Sequence, residues 1–459
     1  MSARTAGARW TPPAPKHTVY WRETEQVDPG PPLAGDVRCD VAIIGAGYTG
    51  MWTAFHLKKA EPGLDVQIVE ADYAGSGASG HGDGFVTPTI GHSLESVAKA
   101  YGTERAKVAY SVVGRSIVEL RRFCQAHGID AQYETKPYLQ VATTPAQRRW
   151  LERDLALIGR MGGSPPELLE RDAVREIFDS PTVQAGFGVG GAMVNPHRLS
   201  RGLSRVLREM GVGLHERSPA MDVRRSRGGH TVVTPGGTLS APKLLYATNA
   251  YQYRFAPLRT MVRPYWSYAA VTEPLTDAQL KQVHWPDRQA WVEARSLVVF
   301  GRLTAQNRLL IGGGPPVNFY GNDMSARRQD SAKATALLRR TLARYYPAWA
   351  DLSFTHAYGG CIDMTPDMVP HVGSLGDGSF FAHGYCGNGV ATTNTVGKSL
   401  RDLILEKESA YTDLLFVGDQ RRRYPAEPLA FLGGRVRTAW MTAQDRWPGL
   451  LVRDPEGAQ

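Results

Sequence analysis

The stretch CDVAIIGAGYTG at 39–50, followed at 66–70 by VQIVE, leaves few choices for how the surrounding chain can fold. CDVAII is a short buried-strand run, Gly45, Gly47 and Gly50 follow in GxGxxG spacing, and residues 51–59 continue as a helix before a second strand begins. That order is a βαβ opening and implies a parallel sheet. Gly45 permits the tight turn, Gly47 lets the backbone approach a pyrophosphate, and Gly50 lets helix and strand pack closely. Ala46, Tyr48 and Thr49 complete the turn, whose N–H groups and helix dipole, about half a charge, face the phosphates. Glu70, with Ala71 beside it, ends the second strand where a carboxylate meets ribose hydroxyls. An acid there repels a 2′-phosphate, so NADP is disfavoured, and FAD and NAD both stay open on these residues alone.

A chain of 459 residues exceeds what one core sustains, since single cores stop growing near ~250–300 residues, and two domains are expected. With 42% hydrophobic and 21% charged residues, the composition is that of an ordinary globular protein and not of a disordered one. The net charge of +9 raises the question of an anionic partner. However, the runs Arg224–Arg225, Arg327–Arg328, Arg339–Arg340 and Arg421–Arg422–Arg423 are short and scattered, without interleaved aromatics. They fit a solvated basic surface suiting an anionic cofactor, and no nucleic-acid partner is expected. Cys39, Cys124, Cys361 and Cys386 form no CxxC pair, so neither a metal site nor a disulfide framework is indicated, and a reducing, cytoplasmic location is expected. No secretory leader is expected, and no run approaches the ~18 apolar residues of a membrane span.

Residues 75–84 read GSGASGHGDG, a loop that includes Gly77, Ala78, Ser79, Gly80, His81 and Gly84. Further turns follow in ATNAY at 247–251, TEPL at 272–275, GRLT at 301–304, RLLIGGG at 308–314, TPDMVPHVG at 365–373 and GYCGNGV at 384–390. With RRYPAEP at 422–428, this ordered set resembles the D-amino acid oxidase superfamily of FAD-dependent oxidoreductases over about residues 17–432. Within it, the chain is most similar to the gamma-glutamylputrescine oxidase-like group, which usually has arginine in place of His81.

The resemblance implies an α/β plus α+β fold, an FAD-binding Rossmann-like domain interleaved with a mixed-sheet substrate domain. The expected division is an N-terminal arm at 1–35, an FAD-binding domain at 36–115, 186–260 and 355–412, a substrate domain at 116–185 and 261–354, and a tail at 413–459. Implied cofactor contacts are the 45–50 fingerprint, Glu70, Ala71, the 77–84 loop, Ala220, Ala247, Thr248 and Asn249. To these the resemblance adds Gly384, Tyr385, Gly387, Asn388, Gly389 and Val390. That late turn precedes a helix, whose dipole can stabilise the negative charge placed on a flavin pyrimidine by reduction.

Family members that oxidise small α-amino acids carry an arginine three residues before the Thr of TxD, where it grips the substrate carboxylate. This chain has Ile362 there, and a buried carboxylate lacking that bidentate partner is strongly disfavoured. A primary or secondary amine, or an N-substituted amino compound, is therefore the implied substrate. The implied chemistry is hydride transfer from the carbon next to nitrogen to flavin N5, with O2 reoxidising the flavin to hydrogen peroxide. A dehydrogenase using another acceptor, or a tailoring oxidase acting on a larger amine-bearing metabolite, is the alternative.

Monomeric sarcosine oxidases tether flavin through a cysteine at the position of Gly360, so Cys361 is out of register as a tether. His81 falls where some dimethylglycine dehydrogenase-like relatives carry a flavin-linked histidine. Non-covalent FAD is the expectation, and a link at His81 is the alternative. Substrate-side candidates are His92, Tyr265, Trp266, Arg302, Tyr358 and Tyr385, each with an ordinary reading as cap, core residue or surface pair. No oligomeric state follows from the sequence.

Overall fold

A computed structural model describes residues 15–91, 93–226, 228–418 and 422–446. The short apolar strands Val41–Ile44, Val66–Val69 and Lys243–Tyr246 lie side by side in parallel, almost wholly buried, as strands covered on both faces are. Ser379–His383 and Gly213–His215 extend this sheet in parallel on either side, and His371–Ser374 closes one edge antiparallel. Successive side chains point to opposite faces. Val41, Ile43, Ile68 and Leu245 enter a core shared with helices Tyr48–Ala60, Pro196–Glu209 and Gly389–Ile404. Ala42, Ile44, Leu244 and Tyr246 meet Val232 and Leu239 of a four-stranded sheet on the other side. The two outer helices touch at Gly397, where a Cβ would come within 2.9 Å of Trp52.

A second sheet has eight strands in the order Phe354–Met364, Arg263–Thr272, Leu309–Gly313, Val299–Leu303, Trp291–Glu293, Tyr138–Ala142, Ala185–Val189 and Leu169–Glu170. Its neighbours are antiparallel except where Trp291–Glu293 meets Tyr138–Ala142. Trp266, Tyr268, Trp291, Leu309 and Ile311 pack on one face with Leu338 and Leu342 of helix Ala332–Tyr345. Residues directly opposite in an antiparallel pair share a face. The register Tyr265–Ile362, Ala269–Tyr358 and Val292–Phe300 therefore puts a different set on the other side, toward the nucleotide-binding sheet.

The strands cross the expected domain edges. Ala185–Val189 straddles the 185/186 boundary, and Phe354–Met364, expected almost entirely with the FAD-binding domain, is the edge strand of the large sheet. Within the expected tail lies the helix Leu429–Arg446. Its Asp445 accepts from the backbone N–H groups of Ser296 and Leu297 at 2.8 and 2.9 Å and from Arg295 Nε at 3.1 Å, which fixes the helix across the large sheet. All four cysteines are free. Among the described residues, no helix is long and apolar enough to cross a membrane, and no His, Cys, Asp and Glu side chains cluster to hold a metal.

Candidate active site

A cavity of about 2220 Å³ opens between the two sheets, larger than the ~300–1,000 Å³ of a drug-sized site and able to take a dinucleotide plus a further molecule. On the parallel-sheet side its wall is backbone. Gly45 has φ +104°, and a Cβ there would meet the Ala247 carbonyl at 2.7 Å. At Gly50 it would meet the Gly45 carbonyl at 2.1 Å, and at Gly80 the Gly75 carbonyl at 2.4 Å. Only glycine lets these segments close on one another. Gly47 starts the Tyr48–Ala60 helix and brings no capping side chain; Ser79 Oγ takes the Tyr48 N–H at 2.8 Å.

Glu70 accepts from the backbone N–H groups of Ala46 at 2.8 Å and Asp72 at 3.1 Å, and burial pushes its carboxyl up. The Glu70 carbonyl accepts the Ser218 N–H at 2.7 Å, which carries Ala220 to the cavity wall beside Ala71.

The late turn is brought to the fingerprint by a direct bond, Thr49 Oγ1 to the Tyr385 hydroxyl at 2.7 Å. Gly384 has φ +85° and donates its N–H to the Asp363 carboxylate at 2.5 Å. Burial pushes the Asp363 carboxyl up to about 7, against the backbone N–H groups of Gly384, Tyr385 and Cys386. Gly387, at φ +93°, faces open space. Asn388 does not cap the Gly389–Ile404 helix; its Nδ2 donates to the Gly91 carbonyl at 3.1 Å, and Gly389 and Val390 line the cavity. Among the described residues Thr248 Oγ1 is buried without a partner on the same wall, next to Asn249 at φ +49°. Two helix starts that lack a capping side chain from their own N-cap residue, an acid at the ribose position, an orphaned hydroxyl and a glycine cradle fit a bound dinucleotide.

The opposite wall is made of side chains. Tyr265, Tyr358 and Ile362 line it from the edge strand and its neighbour, and the Tyr358 hydroxyl, in a residue only 3% exposed, has no partner among the described residues. Phe85 contacts Phe300 at 5.3 Å and Tyr138 at 6.3 Å between ring centres, and all three line the cavity. Trp266 borders the cavity, but its ring lies in the core on the sheet's other face with Nε1 donating to the Asp323 carbonyl at 3.1 Å. The Tyr385 hydroxyl is engaged by Thr49.

Arg302, also 3% exposed, sits behind the wall and not in it. Its Nη1 donates to the carbonyls of Val194 at 2.9 Å and Asp83 at 3.1 Å, and burial pushes the guanidinium down to about 10. His92 lies outside the described residues. His81 lines the cavity; its Nε2 faces Arg22 Nη2 at 3.2 Å, and burial lowers it to about 3, so it is the neutral tautomer with Nε2 accepting.

Three contributors were not anticipated from sequence: the Phe85–Tyr138–Phe300 wall, Asp83, and the C-terminal helix, which brings Arg437, Trp440 and Met441 to the cavity. Pro428 followed by an uninterrupted proline-free stretch to Arg446 is the signal that could have announced that helix.

A family profile described as "DAO: FAD dependent oxidoreductase" matches residues 40–403, well over half the chain. Gamma-glutamylputrescine oxidoreductase of Escherichia coli (strain K12) is 28% identical over 421 residues, covering 89% of this chain and 96% of that one. A probable oxidoreductase, OrdL, of Rhizobium meliloti (strain 1021) is 27% identical over 451 residues, covering 96% and 99%. Among solved structures, glycine oxidase from Geobacillus kaustophilus superposes with a TM-score of 0.69 at 22% identity, over 83% of this chain and 99% of that one, and shares the fold. With a cradle shaped for a dinucleotide and a profile match across both sheets, this chain belongs to the DAO family of FAD-dependent oxidoreductases.

Proposed function

We propose that the enzyme oxidises the C–N bond of a primary or secondary amine, or of an N-substituted amino compound, to an imine that water then hydrolyses. One observation carries this reading: Phe85, Tyr138, Phe300, Tyr265 and Tyr358 line the cavity with aromatic rings, and Ile362 stands at the place of a carboxylate-binding arginine. A substrate carboxylate would be buried there without a bidentate partner. The names of the relatives agree in kind, one being a gamma-glutamylputrescine oxidoreductase and another a glycine oxidase.

Bound FAD supplies the two-electron acceptor for the hydride leaving the carbon next to nitrogen, and O2 is the proposed final acceptor, giving hydrogen peroxide. The residues of this chain orient, desolvate and hold charge. Phe85, Tyr138 and Phe300 exclude water from the amine, which favours its neutral, reactive form. The uncapped start of Gly389–Ile404 offers positive potential to negative charge beside it. FAD is held without a covalent bond in this proposal, because Arg22 already occupies the His81 Nε2 lone pair. The four free cysteines suit a reducing compartment, and a cytoplasmic location is part of the same proposal.

The test is anaerobic loss of flavin absorbance with polyamines, N-methyl amino acids and acylated diamines. Bleaching by at least one of these classes is expected, and none by any of them overturns the reading. Stoichiometric oxygen uptake with peroxide formation distinguishes an oxidase from a dehydrogenase. Acid precipitation that leaves all the yellow colour in the supernatant supports non-covalent binding.

A further inference from the structure

Asp83 stands where the glycine loop leaves the cradle and meets the large sheet. Arg302 holds its carbonyl at 3.1 Å, and the next residue, Gly84, has φ +77° with no room for a Cβ, which would lie 2.1 Å from the Val194 carbonyl. Residue 83 is thus fixed on both sides. It lines the cavity, and among the described residues its carboxylate has no hydrogen bond and no ion pair at contact distance; the Arg302 guanidinium acts on it only through space and does not outweigh its burial. Facing it from the sheet is Tyr358, whose hydroxyl is buried, unpartnered and within reach of the Asp83 charge. Two residues further along is Phe85, which begins the aromatic wall.

An unpaired carboxylate in an aromatic enclosure is costly, and the ligand that offsets the cost is a cation with an apolar body. We infer that Asp83 anchors the ammonium group of the substrate, with the Tyr358 hydroxyl beside it, and accepts one of its protons before oxidation. The step is R–CH2–NH3⁺ plus Asp83 carboxylate giving R–CH2–NH2 plus Asp83 carboxylic acid. An N–H bond breaks, an O–H bond forms, and no electrons are gained or lost. The nitrogen lone pair released in this way is what stabilises the iminium formed when hydride leaves. Burial pushes the Asp83 carboxyl up to about 7, which suits proton exchange near neutral pH. The substrate class is therefore an amine with a free ammonium and an alkyl or aromatic body, lacking a carboxylate on the adjacent carbon. This inference rests on the amine-oxidation reading and adds a residue and a substrate class to it.

The test uses holoenzyme in the wild-type, Asp83→Asn and Tyr358→Phe forms. The first probe, tert-butylamine, has no hydrogen on the carbon next to nitrogen, so its effect on flavin absorbance reports binding alone. The second, benzylamine, reports anaerobic bleaching. Expected are at least tenfold weaker tert-butylamine binding and at least hundredfold slower bleaching in Asp83→Asn, smaller losses in Tyr358→Phe, and full FAD content in both variants. Wild-type affinity for tert-butylamine in Asp83→Asn, loss of FAD from that variant, or a wild type that bleaches with amines yet ignores tert-butylamine each overturns the inference while leaving amine oxidation standing. A wild type bleached by no amine fails the function itself and this inference with it.

Discussion

The parallel-sheet wall of the cavity and the large-sheet wall do their work with different atoms. On the first, Gly45, Gly50, Gly80 and Gly384 bring backbone against backbone, and recognition falls to N–H groups and helix starts. On the second, Tyr265, Tyr358, Ile362 and Phe300 present side chains from strands whose hydrogen bonding would be unchanged by other residues. A backbone site cannot be retuned without breaking the fold, so it suits a constant ligand. A side-chain wall can be rewritten one residue at a time, so it suits a substrate.

The sharpest attempt to break that contrast is Gly50→Val. Its Cβ would fall 2.1 Å from the Gly45 carbonyl, inside the contact between the first strand and its helix, with only backbone to give way. Loss of FAD from the purified protein is expected, read as absent flavin absorbance, with a fall in stability of more than about 4 kcal/mol in urea. Retained FAD would mean that the cradle is more pliable than a backbone site should be.

The next effect concerns Asp83, which joins the two walls. It accepts a proton only as carboxylate, so kcat/KM for an amine should be low in acid and rise with pH through about 7. The groups facing it do not mimic this limb. Arg302, from Val299–Leu303, stays charged up to about 10; burial pushes the Tyr358 hydroxyl and the nearby Tyr20 hydroxyl up; and His81, on the same loop, is neutral above about 3. In Asp83→Asn the levelling-off above about 7 should vanish, and the much lower residual rate should keep rising between pH 6 and 8 as the free-amine fraction of the substrate grows. A levelling-off that persists unchanged would assign the titration to another group.

Legibility in the sequence follows the same division. Glycines at fixed spacing report positive φ and close approach, which are local properties, so the fingerprint turn was legible from spacing, while the 77–84 loop and the late turn were singled out through the family resemblance. The partners of Phe354–Met364 are not local. Its TPD-proximal end suggested a place with the nucleotide-binding segments, whereas its ladder runs along Arg263–Thr272. The C-terminal helix was hidden for a different reason. Leu429, Leu432, Val436 and Trp440 are exposed, so apolar residues fall on both faces of the helix and blur the one-sided pattern that periodicity normally reveals. Asp83 was overlooked because its surroundings depend on Tyr358 and Arg302, brought near only by folding. Arg302 looked like a substrate ligand in the GRLT motif, but it sits behind the wall with its Nη1 taken by the Val194 and Asp83 carbonyls.

Arg302 therefore tests whether the two walls are mechanically joined. Arg302→Ala removes the donor shared by the Val194 and Asp83 carbonyls, and unpaired buried acceptors cost about 1–3 kcal/mol each. A loss of about 2–4 kcal/mol in urea unfolding is expected, together with a raised KM for the amine as residue 83 loses its fixed position. Loss of stability without any change in KM would show that the loop holds its place unaided.

The smallest effect is expected within the cradle itself, at the bond between Thr49 and Tyr385. Tyr385→Phe keeps the ring in the core and removes only the hydroxyl, leaving Thr49 Oγ1 able to turn to its own helix backbone. Such a neutral bond contributes about 1 kcal/mol net, so FAD affinity should weaken by about fivefold, measured by flavin release on dilution. Amine turnover at saturating FAD should be unchanged, because this hydroxyl faces the fingerprint and not the substrate wall. A large fall in turnover with FAD fully bound would instead move Tyr385 to the substrate side and blur the line between the backbone wall and the side-chain wall.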